Sequence, residues 1–377
     1  MIYLDNAAST PLHPEVLSIL AQSQSTDFAS PASAHQLGQR LDKKITEYRD
    51  YFKGAVNADP AKYHFIFTSS ASESNTTIIR GNSNFSNTPV ALSQADHPSL
   101  WEYFNHTNNP NVCWITCLAD GRYEEAELFS RITSNTSLVL LSQVNNYCGT
   151  IQDISDLATK IRAINPLVHI HVDAVQAFGK IKISLADNLI DSMAISSHKI
   201  GGPKGVAGLY LAKKAKIAPL IYGGGQELGL RSSTQPFPLI AAFALAAKLA
   251  LTDFKKHQAE AGARMQFLLE QLSREIPSLK FPFKEYASPY ILTFLVPKIS
   301  SDIILRHLEQ VEIILSSSSA CSSKIKGFNP TYHALKIAAA EHKSVLRLSM
   351  STETTQDEVQ KFVVSLSKIF KDLAHLW

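Results

Sequence analysis

A chain of 377 residues that is 45% hydrophobic and 18% charged can bury a large core and exceeds the usual ceiling for one compact domain, so two domains are expected. Its 36 basic and 33 acidic residues leave a formal charge of +3 and are scattered along the chain. That pattern excludes a single-sign block built for nucleic acid or an anionic membrane surface.

In chain order, the opening Met1-Ile2-Tyr3-Leu4-Asp5 has no basic leader before an apolar run, and no secretory signal is expected. From about residue 64 to 211 one theme repeats: a short β-branched or aromatic run ends abruptly in small polar residues, and helical material follows. The runs are His64 to Thr68, Val90 to Ser93, Leu138 to Ser142, His169 to Asp173, Asp191 to Ser196 and Val206 to Leu211. Most read as buried on both faces, which predicts a mostly parallel sheet in an α/β fold. From Pro238 to about Gln271 the pattern is helical, and strand-like and helical pieces such as Tyr290 to Val296 and Asp357 to Leu373 suggest a smaller α+β domain. The most apolar stretch, Leu239 to Leu251, is broken by Lys248 and falls short of the roughly 20 residues that span a bilayer. It reads as a buried helix. The four cysteines, Cys113, Cys117, Cys148 and Cys321, lack paired zinc-like spacing and fit reduced thiols in a cytoplasmic protein. Cys113 and Cys117 read as plain buried thiols.

In parallel sheets, ligands collect at the carboxyl ends of strands, so the residues just after each run are the first place to look for chemistry. Lys199 follows a buried run and precedes the glycine-rich Gly201-Gly202-Pro203-Lys204-Gly205, which lets backbone approach closely. Such a lysine can serve as a Schiff-base amine if burial and nearby positive charge lower its pKa. Asp173 ends the run His169-Ile170-His171-Val172; it is either a helix N-cap or the partner of a protonated pyridine nitrogen. Ser70-Ala71-Ser72-Glu73-Ser74-Asn75 leads from a strand into a helix and offers free N–H groups where a phosphate could sit. His97 and Asn146 also stand after strands, where structural hydrogen-bonding roles are equally open to them.

Together these residues resemble the cysteine desulfurases of the class V aminotransferase group, pyridoxal-phosphate enzymes of fold type I. The likeness runs nearly end to end. It starts with Tyr3-Leu4-Asp5-Asn6-Ala7-Ala8-Ser9-Thr10-Pro11, Ser33-Ala34-His35, Phe67-Thr68-Ser69-Ser70-Ala71-Ser72-Glu73-Ser74-Asn75 and Asp96-His97. It continues through Val144-Asn145-Asn146, His171-Val172-Asp173-Ala174-Val175-Gln176, Ser196-Ser197-His198-Lys199, Gly223-Gly224-Gly225-Gln226-Glu227, Gly229-Leu230-Arg231-Ser232-Ser233-Thr234, Ser319-Ala320-Cys321 and Leu346-Arg347-Leu348-Ser349. The resemblance implies a large domain with a seven-stranded, mostly parallel sheet over 15–254 and a small α+β domain from 1–14 and 255–377. It implies pyridoxal 5′-phosphate held by Lys199, paired through Asp173, stacked on by His97, and touched at its phenolic oxygen by Gln176 or Asn146, one of which could instead meet the substrate. Ala71, Ser72, Ser196 and His198 would cradle the phosphate, and Thr234 would reach the phosphate of a neighbouring subunit in a homodimer. Arg347 would clamp the carboxylate of L-cysteine. Cys321 would take the substrate sulfur as a persulfide, release alanine and pass sulfur to a scaffold protein or thiolation enzyme serving iron-sulfur cluster assembly or tRNA thiolation. A free thiol has a pKa of about 8.5, so assistance is expected, with His97 the candidate base.

Departures from the family pattern are also visible. Tyr147-Cys148 replaces an acidic and an aliphatic residue, making Cys148 either a second thiol near the pocket or a buried small hydrophobe. Ser351-Thr352 replaces Gly-Arg, so a second positive charge near the substrate is expected to be missing. Ser70 replaces a glycine, which could reshape the phosphate turn. Competing readings are a selenocysteine lyase or other class V lyase or transaminase, and a non-enzymatic homologue that docks sulfur-transfer partners.

Overall fold

The computed structural model describes residues 1–82, 87–317 and 329–373. Among them the strands in chain order are β1 (Ile2–Tyr3), β2 (Tyr63–Thr68), β3 (Val90–Leu92), β4 (Val112–Trp114), β5 (Leu138–Ser142), β6 (His169–Asp173), β7 (Ser192–Ser196), β8 (Ala207–Ala212), β9 (Ile291–Leu295), β10 (Ile313–Ile314) and β11 (Val345–Ser349). Seven of these form one sheet in the order β2-β8-β7-β6-β5-β3-β4. Only β8 runs against the rest, pairing antiparallel with both β2 and β7. The expected mostly parallel seven-stranded sheet is therefore present.

Every residue of β5, β7 and β8 is buried, as strands covered on both faces must be. One face packs on Leu41, Ile45 and Phe52 of the helix Gln36–Ala55 and on Ile154, Leu157 and Ile161 of the helix Ile154–Ile164. Phe52 stacks on Phe65 of β2 with ring centroids 4.4 Å apart. The other face packs on Ile78 and Ile79 of the helix Ala71–Gly81 and on Leu100, Trp101 and Phe104 of the helix Pro98–Thr107. Each such side chain contributes roughly 1.5–3 kcal/mol on full burial, so the sheet is a rigid platform for the groups at its ends.

A second core gathers Leu268, Leu272, Phe294, Leu308, Leu346, Leu348, Phe362 and Leu366 around the antiparallel pair β9 and β11. The N-terminus belongs to it too: β1 pairs parallel with β10, and Leu4 is fully buried there. Beyond Leu4 the chain runs to the end of the large sheet, where Thr10 N–H donates to His198 O at 2.9 Å.

The helical region expected over 238–271 is two helices, Phe237–Leu251 and Phe254–Glu275, bent by 67°. The first ends with Thr252 N–H on Lys248 O, and Asp253 takes a left-handed φ of 53° before the second begins. No single helix among the described residues is long and apolar enough to cross a membrane.

Candidate active site

Register brings the chemistry together. Ser142 at the end of β5 lies beside Asp173 at the end of β6, and Asp173 lies beside Ala194 near the end of β7. Chain leaving these three ends, with the N-terminus of the helix Ala71–Gly81, encloses a cavity of about 330 Å³. Its walls carry Asp173, Ser196, His198 and Lys199 from the strand ends, and Ala71 and Ser72 from the helix. His97, Asn146 and Gln176 come from the loops, and Arg347 reaches it from β11. Residues far apart in the sequence thus line one cavity.

Asp173 is 7% exposed. One carboxylate oxygen accepts the Val175 N–H at 3.0 Å and the other accepts Asn75 Nδ2 at 2.9 Å. It does not cap a helix; among the described residues the next regular element after β6 is β7. Of its two readings from sequence, the one facing a pocket fits this placement.

Lys199 closes a short 3-10 turn, Ser197–Lys199, that directly follows β7. Its Nζ donates to Ala7 O and to Ala8 O, both at 2.6 Å. The N-terminal strap thereby holds the amine by two carbonyls. Beside it His198 is pushed down to a pKa of about 4, first by burial and then by the Lys199 charge.

The helix Ala71–Gly81 opens toward the cavity. Ser70, its N-cap, accepts the Glu73 N–H at 3.1 Å on its hydroxyl, and the first-turn N–H groups of Ala71 and Ser72 lie beyond reach of intrahelical acceptors. Ser70 is extended, with φ −162° and ψ 160°, a conformation open to any residue. The serine in place of glycine therefore supplies a cap and leaves the turn unstrained.

Arg347 is 6% exposed and already engaged: it donates to Asp5 Oδ1 at 2.8 Å, to Asn146 O at 2.8 Å and to Ser316 Oγ at 3.3 Å. Its Nε has no partner among the described residues. Gln176 donates to Ala7 O at 2.9 Å and accepts Lys180 Nζ at 3.3 Å. Lys180 is buried, and burial, then Lys199 and Arg347, push it down to a pKa of about 7.

Several expectations fall elsewhere. Thr234 is exposed and lines a separate cavity with Glu227 and Arg231, away from these residues within one subunit. Cys321 lies outside the described residues, as do Ser319 and Ala320. Cys148 is fully buried, its Sγ 3.2 Å from Thr150 Oγ1, and burial pushes its pKa to about 11; it is the small buried hydrophobe of the two alternatives. Tyr147, by contrast, does line the site cavity. Ser351 and Thr352 line a different cavity, of about 570 Å³, which shares Lys199 with the first and also contains Lys180.

Asp5, Asn75 and Lys180 join the site without any local signal in the sequence that marks a functional role. Asp5 and Asn75 stand within the motifs of the resemblance, but their contacts to Arg347 and Asp173 span 342 and 98 residues. Asp96 is a further case: fully buried, it accepts from Tyr123 Oη at 2.8 Å, and burial lifts its pKa to about 7.

The aminotransferase class-V family model matches residues 2–362. The chain is 33% identical over 390 residues to a NifS/IcsS protein homolog of Lactobacillus delbrueckii subsp. bulgaricus, covering 100% of this chain and 99% of that protein. It is 31% identical over 396 residues to the cysteine desulfurase IscS of Rickettsia akari, covering 100% and 93%. A solved structure of SspA in complex with cysteine superposes with a TM-score of 0.81 at 28% identity, covering 94% of this chain and 100% of that one.

Proposed function

Because the chain belongs to the class-V aminotransferase family and, within it, to the cysteine desulfurases, we propose that it binds pyridoxal 5′-phosphate in the 330 Å³ cavity and converts L-cysteine to L-alanine, passing the sulfur to Cys321. The observation that carries this reading is the placement of Lys199 and Asp173, from the ends of adjacent strands, on one cavity with an open helix N-terminus.

The donor set fits that cofactor. The Asp173 carboxylate suits a protonated ring nitrogen. The free N–H groups of Ala71 and Ser72 suit a phosphate, with Ser196 and His198 beside them. Lys199 is the amine that would hold the molecule covalently, and Gln176 and Asn146 line the same cavity, where they would meet its phenolic oxygen or the substrate. When bound, pyridoxal phosphate supplies a carbonyl carbon that joins amines and a ring that takes up electrons.

The protein's own part follows from its side chains. Arg347 presents a buried guanidinium with a spare Nε–H to the substrate carboxylate, and Asp5 gives way. Lys199 Nζ, released from the Ala7 and Ala8 carbonyls, takes the substrate's Cα proton and later returns it. The Cys321 thiolate attacks the substrate sulfur; the carbon–sulfur bond breaks with its electron pair going to carbon, the persulfide stays on Cys321, and protonated carbon leaves as alanine. Exposed Thr234 supports a homodimer in which it approaches the neighbouring subunit's phosphate. The sulfur acceptor in this proposal is a protein, either an iron-sulfur scaffold or a thiolation enzyme.

Alanine and sulfide production from L-cysteine under reducing conditions, with L-selenocysteine run in parallel, tests the reading. Alanine from cysteine is expected. Cys321→Ser should bind cofactor and cysteine yet release no alanine; normal turnover by that variant would remove Cys321 from the mechanism, and preference for selenocysteine alone would make the protein a lyase for that substrate.

A further inference from the structure

Behind Asp173 runs a line of buried and half-buried polar side chains, and its hydrogen bonds have only one consistent direction. His169, His171 and Asp173 alternate along β6 and so share one face. Asn75, on the helix Ala71–Gly81, meets that face and is fully buried, as are His171 and Ser192. Asn75 Nδ2 lies 2.9 Å from Asp173 Oδ2 and 2.8 Å from Ser99 Oγ, while its Oδ1 lies 2.9 Å from His171 Nε2. His171 Nδ1 is 2.8 Å from Ser192 Oγ, which is 2.7 Å from His169 Nε2.

A carboxylate only accepts, so the amide of Asn75 must turn its N–H side to Asp173 and its oxygen to His171. His171 then donates from Nε2. Burial pushes its pKa down to about 3, so the ring is neutral, Nδ1 is bare, and Ser192 must donate to it. Ser192 has one proton, so it accepts from His169 Nε2–H. On the other branch the second N–H of Asn75 occupies Ser99 Oγ as an acceptor, leaving the Ser99 proton for His97 Nδ1 at 2.8 Å. The backbone fixes the same polarity independently: Ser99 N–H donates to His97 Nδ1 at 3.2 Å, the cap of the helix Pro98–Thr107. With Nδ1 accepting from two donors, a neutral His97 carries its proton on Nε2.

We propose that Asn75 is a positioning residue which fixes the orientation of Asp173 and, through Ser99, the tautomer of His97, so that His97 acts in the cavity as a donor from Nε2. This rests on the proposed desulfurase site and changes one part of it: His97 is a proton donor toward bound molecules, and the base expected there for the Cys321 thiol is a different group. Burial and the Lys199 charge favour the neutral ring, and Asp173 is the charge that opposes them; His198 is the other titratable neighbour.

Nitrogen NMR of the full-length protein with 15N-labelled histidine, without and with pyridoxal 5′-phosphate, reads the tautomer directly, with His97→Gln assigning the signals. The expected result between pH 6 and 8 is a bare Nδ1 and a protonated Nε2 in both states. Asn75→Asp places a second carboxyl against Asp173, so the two share a proton, and the new oxygen accepts the Ser99 proton that His97 held; with that donor lost and the added negative charge nearby, the His97 titration midpoint should rise by about one pH unit. Ser99→Ala removes the same donor and should move it the same way, whereas Ser99→Thr keeps the hydroxyl and the wild-type midpoint. A wild-type His97 protonated on Nδ1 would overturn the proposal, as would wild-type midpoints in both Asn75→Asp and Ser99→Ala. The Ser99 pair decides the matter if Asn75→Asp does not fold. Turnover of cysteine is measured separately, so an inactive protein with the expected tautomer would count against the desulfurase reading and leave the Asn75 assignment standing.

Discussion

At the residue scale, the guanidinium that would clamp the substrate is held by a carboxylate of its own chain. Arg347 and Asp5 pair at 2.8 Å with side chains only 8% and 18% exposed. A substrate carboxylate must displace Asp5; in a pair this buried, desolvation offsets most of the attraction and leaves a net of about 1 kcal/mol, the worth of an ordinary hydrogen bond, which sets the scale of that competition. Asp5→Asn is therefore expected to lower KM for L-cysteine by about fivefold with little change in kcat. Steady-state kinetics over a range of cysteine concentrations would show it, and a raised KM would mean that Asp5 orients Arg347 for the substrate. Lys199 and Asp173 were legible in the sequence because each follows or ends a short buried run, and a strand end is a place that local pattern can mark. Asp5 and Asn75 were not, because their partners are set by tertiary packing that no local pattern encodes. Ser351 and Thr352, close in sequence to Arg347, face another cavity, a separation that sequence proximity does not reveal.

At the scale of elements, the segment carrying Thr234 is pinned to the large sheet by buried ion pairs. Glu227 is 3% exposed; it accepts Arg49 at 2.8 Å and the Phe67 N–H of β2 at 2.9 Å. Arg231 reaches Glu73 in the first turn of the helix Ala71–Gly81 at 2.9 Å. Burial alone would raise Glu73, but hydrogen bonds from Arg231 and Ser69 outweigh it and hold its pKa below the ordinary value. Removing one partner of a buried pair leaves an uncompensated charge, so Arg49→Met should cost about 3 kcal/mol in chemical denaturation, and Arg49→Met with Glu227→Gln should recover part of that loss. Equal loss in the single and double variants would show that Glu227 is not the group left exposed. The strands were the most readable elements, since β-branched runs ending in small polar residues mark them without tertiary information. The break at Thr252 and Asp253 was not readable, because neither glycine nor proline marks it and a left-handed aspartate does the turning.

At the scale of the whole molecule, buried titratable groups predict the response to pH. His171 and His169 are pushed down by burial to about 3 and about 4, whereas an unfolded histidine titrates near ~6.5. Below about 6.5 the unfolded chain takes up protons that the folded one refuses, so their share of stability is full above that pH and is lost as the pH falls toward 4. Asp96 acts in the other direction: burial lifts it to about 7, so from about 4 to 7 the folded carboxyl keeps a proton that the unfolded chain releases, and stability falls as pH rises. Each group contributes a slope of at most about 1.4 kcal/mol per pH unit. The two histidines outweigh the one carboxyl, so the urea midpoint should rise between pH 4.5 and 6.5. Asp96→Asn should steepen that rise and His171→Gln should flatten it; a midpoint that falls over this range would reverse the assignment of these groups as buried and neutral. The joining of β1 to β10, which carries Asp5 and the Ala7 and Ala8 carbonyls to the site, is a consequence of packing between distant ends.

The central claim is that Lys199 is the amine which takes pyridoxal phosphate in the cavity it shares with Asp173. Borohydride reduction of the protein saturated with pyridoxal 5′-phosphate, followed by proteolysis and mass spectrometry, tests it most directly. The account predicts one stoichiometric pyridoxyl label on Lys199 that disappears in Lys199→Ala; a label on Lys180, or on no residue at all, would contradict it.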